Sequence, residues 1–446
     1  MTTTHPPRTG GGEPRPLRTP SESVRLPASD RFAAESRAPA VDPDRWPDVA
    51  HVPGDRLRGR VARQLARHAF ARAPIRVTTP EGPLPSAGGP EAPLLELHRP
   101  ADFYRRLAAG GLIGFGESRM AGDWSAPEPV RLLTALAECY DDLIPRPLQP
   151  LRHVTLPRRP RRLRNTRSGA RRNIAHHYDL SNDLFALFLD ETMTYSAGLF
   201  EGRTGGGQAE LADAQRRKTD RLLDLVGVGE NTRVLEIGTG WGETAVRAAR
   251  RGARVTSVTL SREQRDLARL RAQEAGVAER TDIRLADYRE VTGRYDAVIS
   301  VEMVEAVGER YWPVYFTALD RLTAPGGRIG LQSITMDHAT MRASRGSHTW
   351  MHKYIFPGGL IPSVEAIEEQ LRLRTALRIT DRRALGGDYA ETLRIWRETF
   401  DAAHEQVAAL GFDAVFRAMW SFYLAYCEAG FRSGTIDVEQ IVMERD

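Results

Sequence analysis

Strand–helix alternation over residues 231–336 predicts an α/β fold built on a doubly wound, Rossmann-like parallel sheet. A glycine-rich turn, GTGWG, directly after the first apolar run points the same way, because such sheets turn sharply into their first helix there. The helical stretches between the apolar runs are closed by glycine, which adds a third indication. In order, TRVLEIGTG is the first strand and WGETAVRAARRG the first helix. ARVTSVTLS is the second strand and SREQRDLARLRAQEAG the second helix. TDIRLADYRE and YDAVISVEM are strands three and four. RYWPVYFTALDRLTAPGG is a helix ending in a Pro-Gly-Gly turn, and GRIGLQSITM is strand five. The C-terminal third, from about Ser363, reads as mixed, with helical pieces around 390–410 and 412–429.

The chain has 446 residues, too many for one ordinary domain. Residues 1–54 are rich in Pro, Gly, Arg, Ser and Thr and read as a disordered tail. Residues 55–145 read as a small N-terminal α+β domain. It opens with an arginine-rich helix over 55–73 in which Leu57, Val61, Leu65 and Phe70 lie near one face. Short strand-like runs follow, then helices at ADFYRRLAAGG and around 130–139. Residues 146–172 form a basic linker, with two prolines in its 152–172 run, and 173–446 the larger α/β domain.

Only two of the 63 basic residues are lysines, Lys218 and Lys353. A compositional habit explains most of the arginines. The run from 152 to 172, with nine arginines and no acid, also suits contact with an anionic surface. No apolar run is long enough to span a membrane and no secretory signal is visible, so a cytoplasmic location is expected. The two cysteines form no Cys-x-x-Cys pair, which argues against a disulfide scaffold or zinc ribbon; no metal is expected.

Gly238, Gly240 and Gly242 let the backbone turn tightly after strand one. Strand two ends in Thr259-Leu260-Ser261 without an acid, which counts against a nicotinamide cofactor. The E/D-x-G-x-G-x-G form resembles class I S-adenosylmethionine methyltransferases, and Asp287 after strand three suits a contact near the adenine.

Longer blocks sharpen the resemblance: HHYDLSNDLFALFLDETMTYSAGLF (176–200), VLEIGTGWG (234–242), VEMVEAVGERYWPVYF (301–316), KYIFPGGLIPS (353–363), YAETLRIWRETF (389–400) and YLAYCEAGFRSGTIDVEQIVM (423–443). Together they resemble the cyclopropane-fatty-acyl-phospholipid synthase family of S-adenosylmethionine-dependent lipid methyltransferases, over roughly 100–443. The resemblance implies that Tyr195 and Ser196 close over the cofactor. Glu236, Gly238 and Gly240 would line its methionine end, Thr259, Leu260 and Gln264 the ribose and adenine, and Asp287 and Tyr288 the adenine. It implies catalytic roles for Glu305, Tyr423 and Gln332. It further implies a bicarbonate held by Ala197, Glu305, Gln332, Ile334 and Tyr423. The family usually has Cys at the place of Ala197 and often His at that of Gln332, and Ala306 replaces a common His, so this sequence departs from the bicarbonate pattern. For Glu305 a surface carboxylate, and for Tyr423 a core tyrosine, are the plainer alternatives.

HTWMHKYIFPGGLIPS, with LQSITM upstream, resembles the actinobacterial branch that methylates oleoyl phospholipid chains to 10-methylene-stearoyl chains, the precursor of tuberculostearic acid. The implied substrate is an unsaturated phospholipid in an anionic membrane, reached by a peripheral enzyme on the inner face of the cell membrane. A homodimer and a separate reductase acting on the methylene product are further expectations. Cyclopropane synthesis is the alternative within the family. An inactive anionic-membrane-binding protein is the alternative of another class. A nucleic-acid substrate is not expected, because the basic linker has no stacking aromatics.

Overall fold

The computed structural model describes residues 40–140, 142–143, 166, 169 and 181–445. Most of the expected tail and nearly all of the 152–172 basic run lie outside the described residues. The first described stretch does not behave as a tail. A one-turn helix, Pro47–Ala50, buries Val49, and the Trp46 indole donates to Asp413 Oδ2 at 2.8 Å. Two apolar anchors in a proline-rich stretch are enough to dock it.

The N-terminal region carries a four-stranded sheet: β1 (Arg76–Thr79), β2 (Gly82–Leu84), β3 (Leu94–Leu97) and β4 (Trp124–Ser125), in the order β2-β1-β3-β4. The helix Arg56–Phe70 begins where Asp55 accepts from the Arg58 N–H. It packs through Gly59, Ala62, Ala66 and Phe70. Leu57, Val61 and Leu65, grouped by sequence on one apolar face, point outward instead, Leu57 being 72% exposed. Small residues win the inner face because they let the helix approach the neighbouring Pro100–Gly110 helix closely: a Cβ on Gly59 would meet Arg105 Cγ at 3.0 Å.

The large sheet has seven strands: β5 (Arg233–Ile237), β6 (Arg254–Thr259), β7 (Thr281–Leu285), β8 (Tyr295–Val301), β9 (Thr323–Met336), β10 (Leu377–Ala384) and β11 (Ile436–Arg445). Their order is β10-β11-β9-β8-β5-β6-β7. β5 to β9 pair in parallel, as the alternation predicts. β11 runs antiparallel between β9 and β10, so the sheet is mixed. The sequence reading found neither β10 nor β11. β11 lies inside the sheet and is buried on both faces, so its apolar residues do not alternate, and buried Glu439 and Gln440 interrupt them. The helical pieces of the C-terminal third appear as Gly386–Ala402, His404–Ala409 and Ala414–Arg432.

The described residues pack as one compact unit. Trp124 and Phe115 stack at 4.7 Å, and both lie against Phe422 of the Ala414–Arg432 helix. Trp350 meets Phe422 edge-on at 4.9 Å. Glu117 accepts from Lys353 and, at 2.8 Å, from the Tyr354 hydroxyl. One of the two lysines thus ties the N-terminal helices to the larger part.

Gly116 is where this joint has no spare room: a Cβ there would lie 2.3 Å from Trp350 Cδ1. Gly116→Ala is expected to lower stability by ~1–3 kcal/mol through overpacking, more than the ~1 kcal/mol that alanine gains in a helix. Denaturant unfolding checks this, and an unchanged midpoint would refute the close packing.

Candidate active site

At the C-terminal end of β5 the chain turns through Gly238, Gly240 and Gly242, all at positive φ (96°, 51° and 94°). The N–H groups of Gly238 and Thr239 donate to the Val258 carbonyl of β6 at 3.0 and 3.2 Å, which pins the turn. Gly238 and Gly242 are needed for packing, since Cβ atoms there would meet Met303 Cγ at 2.7 Å and Ala268 Cβ at 2.9 Å. At Gly240 a Cβ would meet nothing within 4 Å. That open side is a cradle a ligand can enter closely, and it fits S-adenosylmethionine.

Glu236, the penultimate residue of β5, is buried. Ser257 Oγ donates to its Oε2 at 2.5 Å, and Thr239 Oγ1 lies 2.7 Å from the same Ser257 oxygen. Burial pushes its pKa up to about 7, against the bonds from Ser257 and Thr244 and the nearby Lys218 cation. Thr259 and Gln264 are buried side by side, the threonine hydroxyl donating to the Gln264 amide oxygen at 2.8 Å, and Leu260 is half-buried between them and the surface. Asp287 accepts from the Arg289 backbone N–H at 3.0 Å and from its Nε at 2.8 Å. Tyr288 lies under the same guanidinium and edge-on to Tyr315 at 5.4 Å. The fold therefore brings the expected cofactor residues to the ends of β5, β6 and β7.

The second half of the site faces the aromatic helices. Tyr195 stacks on Trp396 at 5.1 Å, and its hydroxyl lies 2.6 Å from that of Tyr423. Phe185 and Phe188 meet the same tyrosine edge-on, and Phe356 meets Tyr423 at 5.9 Å. The Ser196 hydroxyl is buried, and its Oγ accepts from Lys218 Nζ at 2.8 Å. Lys218 is fully buried, and desolvation lowers its pKa to about 8 although four carboxylates pull the other way.

Two glutamates follow β8. Glu305 accepts from Ser333 Oγ at 3.1 Å and from the Ile334 N–H, all through Oε1. Its Oε2 is shielded from solvent and has no hydrogen-bond partner. Burial, reinforced by the charge of Glu302, pushes its pKa up to about 8, so it holds a proton at neutral pH. It is not a solvated surface carboxylate. Glu302 was not singled out by the sequence reading. Its Oε1 accepts from the Ala197 N–H at 3.0 Å and from Gln332 Nε2 at 2.8 Å, and its Oε2 accepts from the Tyr389 hydroxyl at 2.7 Å. Lys218, Tyr389 and Gln440 also escaped the sequence reading. The one available signal was the E-x-x-E spacing in VEMVE at the tip of a central strand.

These bonds test the expected bicarbonate. Of its five expected holders, Ala197 and Gln332 give their donors to Glu302, Ile334 gives its N–H to Glu305, and Tyr423 is paired with Tyr195. Glu305, the fifth, has one oxygen without a hydrogen-bond partner. The residues present do not fit a bound bicarbonate.

Residues 165–441 match the family model described as mycolic acid cyclopropane synthetase. The chain is 52% identical over 419 residues to the tuberculostearic acid methyltransferase of Mycobacterium tuberculosis, covering 93% of this chain and 98% of that one. It is 32% identical over 348 residues to the cyclopropane-fatty-acyl-phospholipid synthase of Escherichia coli, covering 77% and 86%. Among solved structures, a mycolic acid cyclopropane synthase complexed with SAH and CTAB matches with a TM-score of 0.56 at 30% identity, covering 62% of this chain and 98% of that one.

The raised pKa of Glu236 has a stability consequence. A carboxyl whose folded pKa lies above its unfolded value stabilises the fold fully below the unfolded value, near 4.5, and that contribution is lost as pH rises through about 7. Ligand-free protein is expected to lose ~1–3 kcal/mol from this group between pH 4.5 and 7. Glu236→Gln should flatten that part of the curve. Equal slopes for the two proteins in pH-dependent unfolding would show that Glu236 is not the group responsible.

Proposed function

This chain belongs to the mycolic acid cyclopropane synthetase family, and from that premise we propose that it methylates the double bond of unsaturated, oleoyl-type phospholipid chains to give a 10-methylene branch. The observation that carries the reading is an open glycine cradle, packed at Gly238 against Met303, beside a buried cluster of aromatic rings and the carboxyl groups of Glu302 and Glu305. The similarity to the tuberculostearic acid methyltransferase over nearly the whole of both chains supports the same product.

Glu236, Gly238, Gly240, Thr259, Leu260, Gln264, Asp287 and Tyr288 would hold S-adenosylmethionine, with Tyr195 and Ser196 over its reactive end. When bound, it supplies an electrophilic methyl group to the alkene. An isolated alkene is a weak nucleophile, so the protein must hold it in place with water excluded. Tyr195 stacks on Trp396 and Tyr389 meets the same indole edge-on, and aromatic rings of this cluster would favour a cation on an acyl chain held beside them. Glu305, neutral at pH 7, and Tyr423 line the reacting carbons as hydroxyl groups rather than as charges. Gln332 sets the direction of the carboxylate beside it.

An acyl chain in a bilayer must be reached from the surface. Among the described residues no helix is long and apolar enough to cross a membrane. The Arg56–Phe70 helix instead exposes Leu57, Val61 and Leu65 in one stripe, with Arg58 and Arg60 on its two sides. Leucine side chains entering the interface while arginines meet phosphate is the pattern of a membrane-lying helix. We assign docking on anionic phospholipid to this face.

Incubation with S-adenosylmethionine and dioleoyl phospholipid should yield the exocyclic methylene, told from its cyclopropane isomer by vinylidene protons in NMR. A cyclopropyl product alone would overturn the assignment. Binding to anionic vesicles should weaken as salt rises and fall about tenfold or more in Val61→Asp, with cofactor affinity unchanged. Salt-insensitive binding would reduce the arginine excess to a compositional habit.

A further inference from the structure

We propose that Glu302 is the proton acceptor of the reaction, its own carboxylate standing where a bound bicarbonate would otherwise sit. The inference rests on the methylene-forming reading above and adds the identity of the base. Glu302 follows the last residue of β8 with φ at +51°, a left-handed conformation that costs a non-glycine residue on the order of 1 kcal/mol. Its backbone N–H donates to the Gln332 carbonyl at 2.7 Å, which holds the residue there. Strain of this kind at a strand tip inside a site is kept only where the surroundings enforce it, and here they aim a carboxylate.

The hydrogen bonds favour its ionised form, against the burial that raises its pKa. Arg221 can only donate, and its Nη1 meets Gln440 Oε1 at 2.5 Å. That leaves Gln440 Nε2 to donate to Gln332 Oε1 at 3.1 Å, and Gln332 Nε2 to donate to Glu302 Oε1 at 2.8 Å. The relay has one direction, and it ends on an oxygen that must accept. With the Ala197 N–H and the Tyr389 hydroxyl, three donors converge on Glu302. Lys218 adds a nearby cation. Glu305, by contrast, has one oxygen with no partner. Burial pushes the pKa of both neighbouring carboxyls up, but at Glu302 the three donors and Lys218 oppose that push, so Glu302 is the more readily ionised of the two.

Oε2 of Glu302 accepts one bond, from Tyr389, and keeps a lone pair for the reaction. Methyl transfer uses the alkene π pair to form the new C–C bond, the sulfonium C–S pair leaves with sulfur, and the cation lies on the adjacent chain carbon. A hydride shift moves the cation to the methylated carbon. Glu302 then takes a proton from the new methyl group, and the C–H pair becomes the exocyclic double bond. The carboxylic acid formed returns its proton to solvent before the next cycle. No oxidant, reductant or added anion is needed.

The test uses the full chain with S-adenosylmethionine and dioleoyl phospholipid vesicles. Wild-type turnover should be the same in carbonate-depleted and bicarbonate-supplemented buffer. Glu302→Gln should lose ~10²-fold or more in kcat, the usual share of a general base, while keeping its Tm and its affinity for S-adenosylhomocysteine. Glu302→Gly relieves the strained φ and empties the niche. It should bind 13C-bicarbonate in NMR, where wild type does not, and recover part of its turnover when bicarbonate is added. Bicarbonate-dependent wild-type turnover, or full activity in Glu302→Gln, would overturn the inference. If wild type makes methylene product and Glu302→Gln does so equally, only the assignment of the base falls. If wild type makes no methylene product, the underlying reading falls and the base with it.

Discussion

A carboxyl group taken out of water must be met by hydrogen-bond partners, and the site is organised by that demand at Glu302. Its three partners come from distant places in the chain: Ala197 before the Gln208–Leu225 helix, Gln332 on β9, and Tyr389 on the Gly386–Ala402 helix. Losing one donor would leave a buried carboxyl oxygen short of a bond, at a cost of about 1–3 kcal/mol. The carboxylate therefore acts as a tie between the sheet, the 195–197 segment and the aromatic helices. The amide relay extends the tie to β11 and, through the Arg221–Asp381 ion pair, to the edge strand β10.

The same economy explains the surroundings. A site that handles a carbocation on a hydrocarbon chain must exclude water, and Phe185, Phe188, Trp396 and Trp420 pack around tyrosines whose hydroxyls pair with each other or with Glu302. The Ala414–Arg432 helix serves both sides of the molecule. One face carries Trp420 and Tyr423 into the pocket, and Phe422 packs against Trp124 and Trp350 in the joint with the N-terminal region. The outward leucines of the Arg56–Phe70 helix are held on the same body as the reacting pocket.

Much of this was legible one residue at a time. Gly238, Gly240 and Gly242 announce a tight turn because each sits where a side chain would be strained. The alternating strands β5 to β9 follow from apolar runs too short to be helices, separated by helical stretches with clear stops. The block around Tyr195 and the YLAYC block around Tyr423 carried the site, and the structure joins the two hydroxyls. Glu302 was hidden because its meaning depends on three donors, none of them near it in sequence. Leu57, Val61 and Leu65 were grouped correctly, but which face turns inward depended on the neighbouring helix.

The sequence by itself determined the order of strands and helices, the cofactor turn and the chemical class, because each of these is a local pattern: a period, a glycine, a contiguous block. Tertiary structure alone decided that β11 inserts beside β9, pairing Gln440 with Gln332 in register. It also decided that the amide thus oriented is spent on Glu302. Hydrogen-bond direction propagates only between atoms in contact, and residues 221, 302, 332 and 440 meet only once the sheet is assembled.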